Sequence, residues 1–162
     1  SDPMFKGGAL DPDACDKIAS FIVLCDSYNI PLIFLADTPG FLVGAESEKK
    51  RLPAKIMTFM SALEQATVPK IALVLRKSYG QAYLNMGGGK ADVTASWFSG
   101  DISFMDPAVA VNVVFAVKQD QDPERFASLV KQVSEGTTAY ELAAPFLAHS
   151  VIDPRETRAY LT

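Results

Sequence analysis

Histidine is almost absent from this chain: His149 is the single one in 162 residues. A Ser-His-Asp triad or an imidazole-rich metal centre would have to be built around it. Nothing in the sequence places partners beside it, so His149 reads as structural and no metal site is expected. Cysteine is nearly as scarce. Cys15 and Cys25 fall in one predicted helix ten residues apart, too far along it to bond to each other. They read as small buried apolar residues in a reducing, cytoplasmic setting. No apolar stretch reaches the roughly 18 residues of a membrane span, so no membrane partner is expected. The opening Ser1-Asp2-Pro3 lacks the basic-then-apolar pattern of a secretory signal. Basic residues form no run beyond Lys49-Lys50-Arg51, which Glu46 and Glu48 dilute, and the net charge is -4. Nucleic acid therefore has little to hold. Linkers, repeats and low-complexity tracts are missing too, which leaves residues 1–162 as one domain.

Among what is there, hydrophobic residues at 49% and charged residues at 21% give a globular balance. Asp11-Pro12 starts a helix, an acidic cap followed by proline at the first position. Ile18, Phe21, Ile22 and Cys25 then fall on one helical face. Leu32 to Ala36 is a short continuous apolar run, the pattern of a strand buried on both faces. It stops in Asp37-Thr38-Pro39-Gly40, a turn that the Asp37 side chain is expected to cap. After a polar loop, Ile56, Phe59, Met60 and Leu63 mark a second helix, and Ile71 to Leu75 a second buried strand closed by Arg76 to Gly80. A short helix begins near Ala82, and Val93 to Phe98 and Ile102 to Met105 read as strands. Pro107 opens another helix, and Phe126, Leu129, Val130 and Val133 pattern the one that Asp122-Pro123 starts. Ala139 to Ala148 is expected to be helical, with a short terminal helix after Ile152-Asp153-Pro154. Alternating helices and strands imply an α/β fold with a parallel sheet core and flanking helices.

In such sheets ligands gather outside the carboxyl ends of the strands. Two loops qualify: Asp37-Thr38-Pro39-Gly40-Phe41 and Ser78-Tyr79-Gly80-Gln81-Ala82-Tyr83. Glycine at 80 permits a sharp turn, and the helix that follows leaves its first N–H groups without helical acceptors. Two such groups side by side can hold a developing oxyanion. On spacing alone, the same segment reads more readily as an ordinary strand-to-helix turn. Gly87-Gly88-Gly89 lacks the lysine and hydroxyl spacing of a phosphate loop and reads as a turn. Tyr79 and Tyr83 are candidates both for the core and for a pocket. Trp97 and Phe98 fit either a core or a subunit interface.

Five segments in register carry a resemblance: Gly8-Ala9-Leu10-Asp11, Asn29-Ile30-Pro31-Leu32, Asp37 to Leu42, Ala66-Thr67-Val68-Pro69-Lys70 and Arg76 to Tyr83. Val151 to Arg158 adds a sixth. Together the chain resembles the C-terminal half of the carboxyltransferase (β) subunit of biotin-dependent acyl-CoA carboxylases, closest to propionyl-CoA carboxylase β chains. The resemblance implies a crotonase-like fold and transfer of a carboxyl group from carboxybiotin, on a separate carrier domain, to the α-carbon of a short-chain acyl-CoA. It places an oxyanion hole for the biotin ureido oxygen on the backbone N–H groups of Gln81 and Ala82. It sets Gly80, Tyr79, Tyr83, Pro39, Gly40 and Phe41 around the cofactor and Leu84 in the acyl pocket. The acyl-CoA-binding N-terminal half is expected outside this sequence, which leaves the chain inactive alone. The implied partners are a biotin carboxylase or biotin carrier subunit and the N-terminal half of a neighbouring subunit, in trimers or hexamers with exposed apolar surface on each piece. A decarboxylase or transcarboxylase subunit shares the same half-reaction. A crotonase-type hydratase or isomerase would need paired carboxylates, and none is evident in sequence beside either loop. The chain departs from the family's usual residues at Gln81, where glycine is common, at Leu84, often aspartate, at Leu52-Pro53-Ala54, and at Asp106-Pro107, where glycine usually follows the methionine.

Overall fold

The computed structural model describes residues 2–162. Helix α1 (Pro12–Ser27) starts where expected, with the Asp11 side chain accepting from the Ala14 N–H. Strand β1 (Leu32–Thr38) follows, then α2 (Ala45–Lys49) inside the stretch read as a loop, and α3 (Leu52–Gln65). Next come β2 (Lys70–Tyr79), α4 (Gly80–Asn85), β3 (Val93–Trp97), β4 (Asp101–Ser103), α5 (Pro107–Val114), α6 (Pro123–Ser134), α7 (Ala139–Ala143) and β5 (Ser150–Ile152). A 3-10 turn (Pro154–Glu156) and α8 (Thr157–Tyr160) end the chain. One expectation fails here and one strand went unforeseen. The helix foreseen to Ala148 stops at Ala143, before Pro145 and a left-handed Phe146 (φ 61). The residues just beyond it form β5, a strand the polar Ser150 and short length concealed.

The strands run parallel in the order β1-β2-β3-β5, with β4 also on β2. Central β2 changes neighbour along its length. Ile71 to Val74 pair with β3, and Lys77 to Tyr79 with β4. Along the other edge β1 pairs with β2 throughout, with an irregularity between Ala36, opposite Val74, and Thr38, opposite Ser78. The segment Arg76 to Tyr79, read as the closing loop, is therefore strand. His149 is structural: its N–H donates to the Thr94 carbonyl, and its Nδ1 accepts from the Thr94 N–H at 2.9 Å.

The main core lies between the sheet and helices α1 and α3, with Cys15, Ile22, Leu32, Phe34, Phe59, Leu63 and Ala72 buried together. Both cysteines are free and buried. β1 is buried on one face only, contrary to the sequence reading. Leu32, Phe34 and Ala36 turn inward while Ile33 (49%) and Leu35 (52%) stay exposed, as does Phe21 of α1 (58%). No helix among the described residues covers that face, and a continuous apolar run cannot itself reveal which side is covered. No helix among them is long and apolar enough to cross a membrane.

One carboxylate ties the two main helices to the sheet. Asp26, near the end of α1, accepts from the Thr67 N–H at 2.6 Å, the Thr67 hydroxyl at 3.1 Å and the Val68 N–H at 3.2 Å. The Thr67 backbone bond, above all, holds its carboxyl below the usual range. A depressed folded pKa gives stability that is present above the unfolded value of about 4 and lost as the pH falls through the folded value. Urea midpoints are expected to drop on acidification below about pH 4, and Asp26→Asn is expected to flatten that part of the profile. A variant profile parallel to wild type would assign the acid sensitivity to other carboxylates.

Candidate functional site

The turn after β1 is built by Thr38. Its hydroxyl lies 3.2 Å from both the N–H and the carbonyl of Gly40, and Gly40 adopts φ 135. The Leu10 N–H donates to the Gly40 carbonyl and the Leu42 N–H to the Leu10 carbonyl, both at 2.9 Å, which pins Pro39-Gly40-Phe41 to the segment before α1. Asp37 does not cap this turn. Its carboxylate faces β2, accepting from Arg76 Nε and Nη2 at 3.2 Å each and from the Lys77 N–H at 3.3 Å. The pairing irregularity of β1 against β2 sets Asp37 beside those residues. Burial pushes its carboxyl up, but the donors around it, Arg76 and Lys77 among them, outweigh burial and hold it below the usual range.

The second turn forms where β2 meets α4. Tyr79 is still extended (φ -112, ψ 143), and Gly80 swings to φ 58. A Cβ at residue 80 would stand 2.8 Å from the Phe104 carbonyl oxygen, so both the backbone conformation and the space require glycine. Gln81 and Ala82 then lie in the first turn of α4, where helix geometry supplies no acceptor for their N–H groups. The Gln81 side chain does not hang loose beside them. Its Nε2 donates to Asn85 Oδ1 at 2.9 Å and lies 3.1 Å from Met60 Sδ, while the buried Asn85 donates to the Ile56 carbonyl at 3.1 Å. Tyr79 is buried, and its hydroxyl donates to Asp101 Oδ2 at 2.5 Å. Burial first, then that bond, raises the pKa of Tyr79 and makes its hydroxyl a weaker acid; burial raises that of Tyr83. The Tyr83 ring lies flush on the next turn, 2.5 Å from where a Cβ of Gly88 would be.

The two turns meet in one cleft of about 240 Å³, lined by Pro39, Gly40, Phe41, Tyr79, Gly80, Gln81 and Ala82, and by Phe104, Met105 and Asp106 opposite. The structure separates Tyr83 and Leu84 from that group. They line an adjoining cavity of about 330 Å³ with Ile102, Phe104 and Leu142, and Gly80 and Gln81 belong to both spaces. A larger concavity of about 700 Å³ beyond α5, over Asn112, Ala116 and Lys118 to Asp120, shares no residue with the turns. Sequence reasoning missed Phe104, Met105 and Asp106 because only the β4–β2 pairing brings them to Gly80. Carboxylates do come near the cleft. Asp106 lines it, with Oδ1 accepting from the Ala108 N–H at 2.9 Å and the Val109 N–H at 3.3 Å, and Asp101 stands behind it, bonded to Tyr79. Both are engaged in holding backbone or side chain.

Gly80→Ala is expected to lower stability to urea by more than the roughly 1–2 kcal/mol of a left-handed alanine, because Phe104 must also move. An unaltered midpoint would mean that the turn relaxes away from β4.

Comparison with known proteins fits this architecture. The family described as the carboxyl transferase domain matches residues 1–162. The chain is 40% identical over 162 residues to the methylmalonyl-CoA carboxyltransferase 12S subunit of Propionibacterium freudenreichii subsp. shermanii, covering 96% of this chain and 31% of that protein. It is 38% identical over 164 residues to the methylmalonyl-CoA decarboxylase subunit alpha of Propionigenium modestum, with 96% and 31% covered. Among solved structures, transcarboxylase 12S with hydrolyzed methylmalonyl-coenzyme A bound superposes with a TM-score of 0.91 at 37% identity, over 99% of this chain and 32% of that one. The beta subunit of P. aeruginosa geranyl-CoA carboxylase gives 0.86 at 30% identity, over 95% and 31%. The chain thus spans about a third of the length of the curated relatives it matches. Its parallel sheet with flanking helices is the crotonase-like fold, and the chain belongs to the carboxyl transferase domain family.

Proposed function

We propose that this chain is the biotin-side segment of a biotin-dependent acyl-CoA carboxyltransferase, acting in transfer of a carboxyl group between carboxybiotin and the α-carbon of a short-chain, propionyl-type acyl-CoA. The observation that carries the reading is the meeting of the Pro39–Phe41 and Tyr79–Ala82 turns at one cleft. Two first-turn N–H groups, on Gln81 and Ala82, suit an oxygen that gains negative charge. The apolar walls supplied by Phe41, Val43 and Val109 suit a compact ring system. Bound there, carboxybiotin would supply the carboxyl group and, in its decarboxylated form, the base for the α-proton. The residues of this chain need only hold and orient: the amides bind the ureido oxygen, Gly80 sets their direction, and Phe41 and Tyr79 wall the cleft.

The thioester oxyanion hole and most coenzyme A contacts would come from a preceding N-terminal half, contributed across a subunit interface. The exposed Phe21, Ile33 and Leu35 support association of this piece with further protein, as a homo-oligomer of trimers or hexamers. A biotin carboxylase or carrier subunit would deliver the cofactor. Two free buried cysteines accord with a cytoplasmic location. Decarboxylase and transcarboxylase subunits would use the same cleft for the same half-reaction.

In the complete carboxyltransferase, Gln81→Pro removes one donor N–H at a first-turn position where proline is tolerated. It is expected to lower the rate of carboxyl transfer by about 10²–10³-fold, well beyond the loss in Gln81→Ala, which keeps the N–H. Retained activity in the proline variant would reject the oxyanion role. Leu84→Asp, which places a charge in the cavity with Tyr83, Phe104 and Leu142, is expected to shift the preferred acyl group. The same relative rates across short and branched acyl-CoAs would end that assignment.

A further inference from the structure

The residue before Gly80 is held by a bond that neither turn requires. The side chain of Tyr79 is 3% exposed, and its hydroxyl donates to Asp101 Oδ2 at 2.5 Å. Asp101 opens β4 opposite Lys77, so its side chain leaves the sheet on the same face as that of Tyr79, two residues along. The other oxygen of the Asp101 carboxylate is buried and has no hydrogen-bond partner among the described residues. The tyrosine hydroxyl is thus the one hydrogen-bond donor to that side chain among the described residues, and losing it would leave a half-buried carboxylate without a partner. Burial and this bond keep the hydroxyl protonated, and therefore donating, across the physiological range. The residue after β4 bounds the turn a second time: the Phe104 carbonyl oxygen lies 2.8 Å from where a Cβ of Gly80 would stand.

The turn needs such support. Gly80 is intrinsically free to rotate, and α4 begins without a side-chain cap. Downstream, Gln81 is tethered through Asn85 to α3. Upstream, Tyr79 is tethered to β4 through Asp101. Backbone donors stabilise a developing charge effectively only when their direction is fixed beforehand. We infer that Tyr79 is a positioning residue, whose bond to Asp101 fixes the backbone entering Gly80 and thereby the direction of the Gln81 and Ala82 N–H groups. This rests on the function proposed above.

Three variants test it. Tyr79→Phe and Asp101→Ala break the bond, whereas Asp101→Asn keeps an acceptor oxygen for the hydroxyl. In the complete carboxyltransferase, the first two are expected to lower kcat by about tenfold or more while the acyl-CoA KM stays within about twofold. Asp101→Asn is expected to lose less than about threefold. In the ligand-free 162-residue chain, the amide resonances of Gln81 and Ala82 are expected to shift or broaden in the two breaking variants and not in Asp101→Asn, with the Leu73 amide unmoved. Should Tyr79→Phe fail to fold, Asp101→Ala carries the comparison. Unmoved Gln81 and Ala82 resonances, or a change in KM alone, would overturn the inference. The two proposals fail separately. An inactive Gln81→Pro with unaffected kcat in both breaking variants removes the positioning role and leaves the amide pair. An active Gln81→Pro removes the amide role, and the ligand-free spectra then decide whether Tyr79 orders the turn.

Discussion

The change of neighbour along β2, from β3 at Val74 to β4 at Lys77, governs where the Tyr79–Ala82 turn and the far wall of the cleft lie. A strand ten residues long can serve two shorter strands in succession, and the second brings Phe104 and Asp106 to the carboxyl end of the sheet. With β4 against its last three residues, the chain can turn back only through a left-handed residue pressed on the Phe104 carbonyl. That is why the position takes glycine. Along the opposite edge, the irregular pairing with β1 brings Thr38 level with Ser78, and the Pro39–Phe41 turn arrives at the same rim.

Much of this frame was legible in the residues. The Asp11-Pro12 and Asp122-Pro123 starts of α1 and α6, the inward faces of α1 and α3 apart from the exposed Phe21, and the apolar first half of β2 follow from local chemistry that the fold preserves. What was not legible depends on partners remote in sequence. Arg76, Lys77 and Ser78 look like a loop because they are polar, yet pairing with β4 makes them strand. β5 comprises three residues and exists because β3 offers an edge. Asp37 looks like a turn cap until β2 brings the Arg76 guanidinium and the Lys77 N–H to its carboxylate.

The two turns were visible as candidate loops, and the structure joins them; the far wall was not visible. Local sequence also failed to show how the surrounding polar groups are used. Asp106 binds the first turn of α5, Asp101 binds Tyr79, and Asn85 links α4 to α3. Around the cleft, side chains mostly hold main chain in place. Such an arrangement suits a reaction whose reactive atoms arrive on a cofactor and a thioester rather than on the protein.

The tether of Gln81 to Asn85 and Met60 has a bearing on how this position can vary. If residue 81 works through its amide, its side chain is unconstrained by the chemistry and is accommodated against α3. Drift at this site should then be governed by the imino acid alone. A glycine, an alanine or a long amide presents the same N–H, so alignments of side chains would understate how strictly the backbone itself is retained.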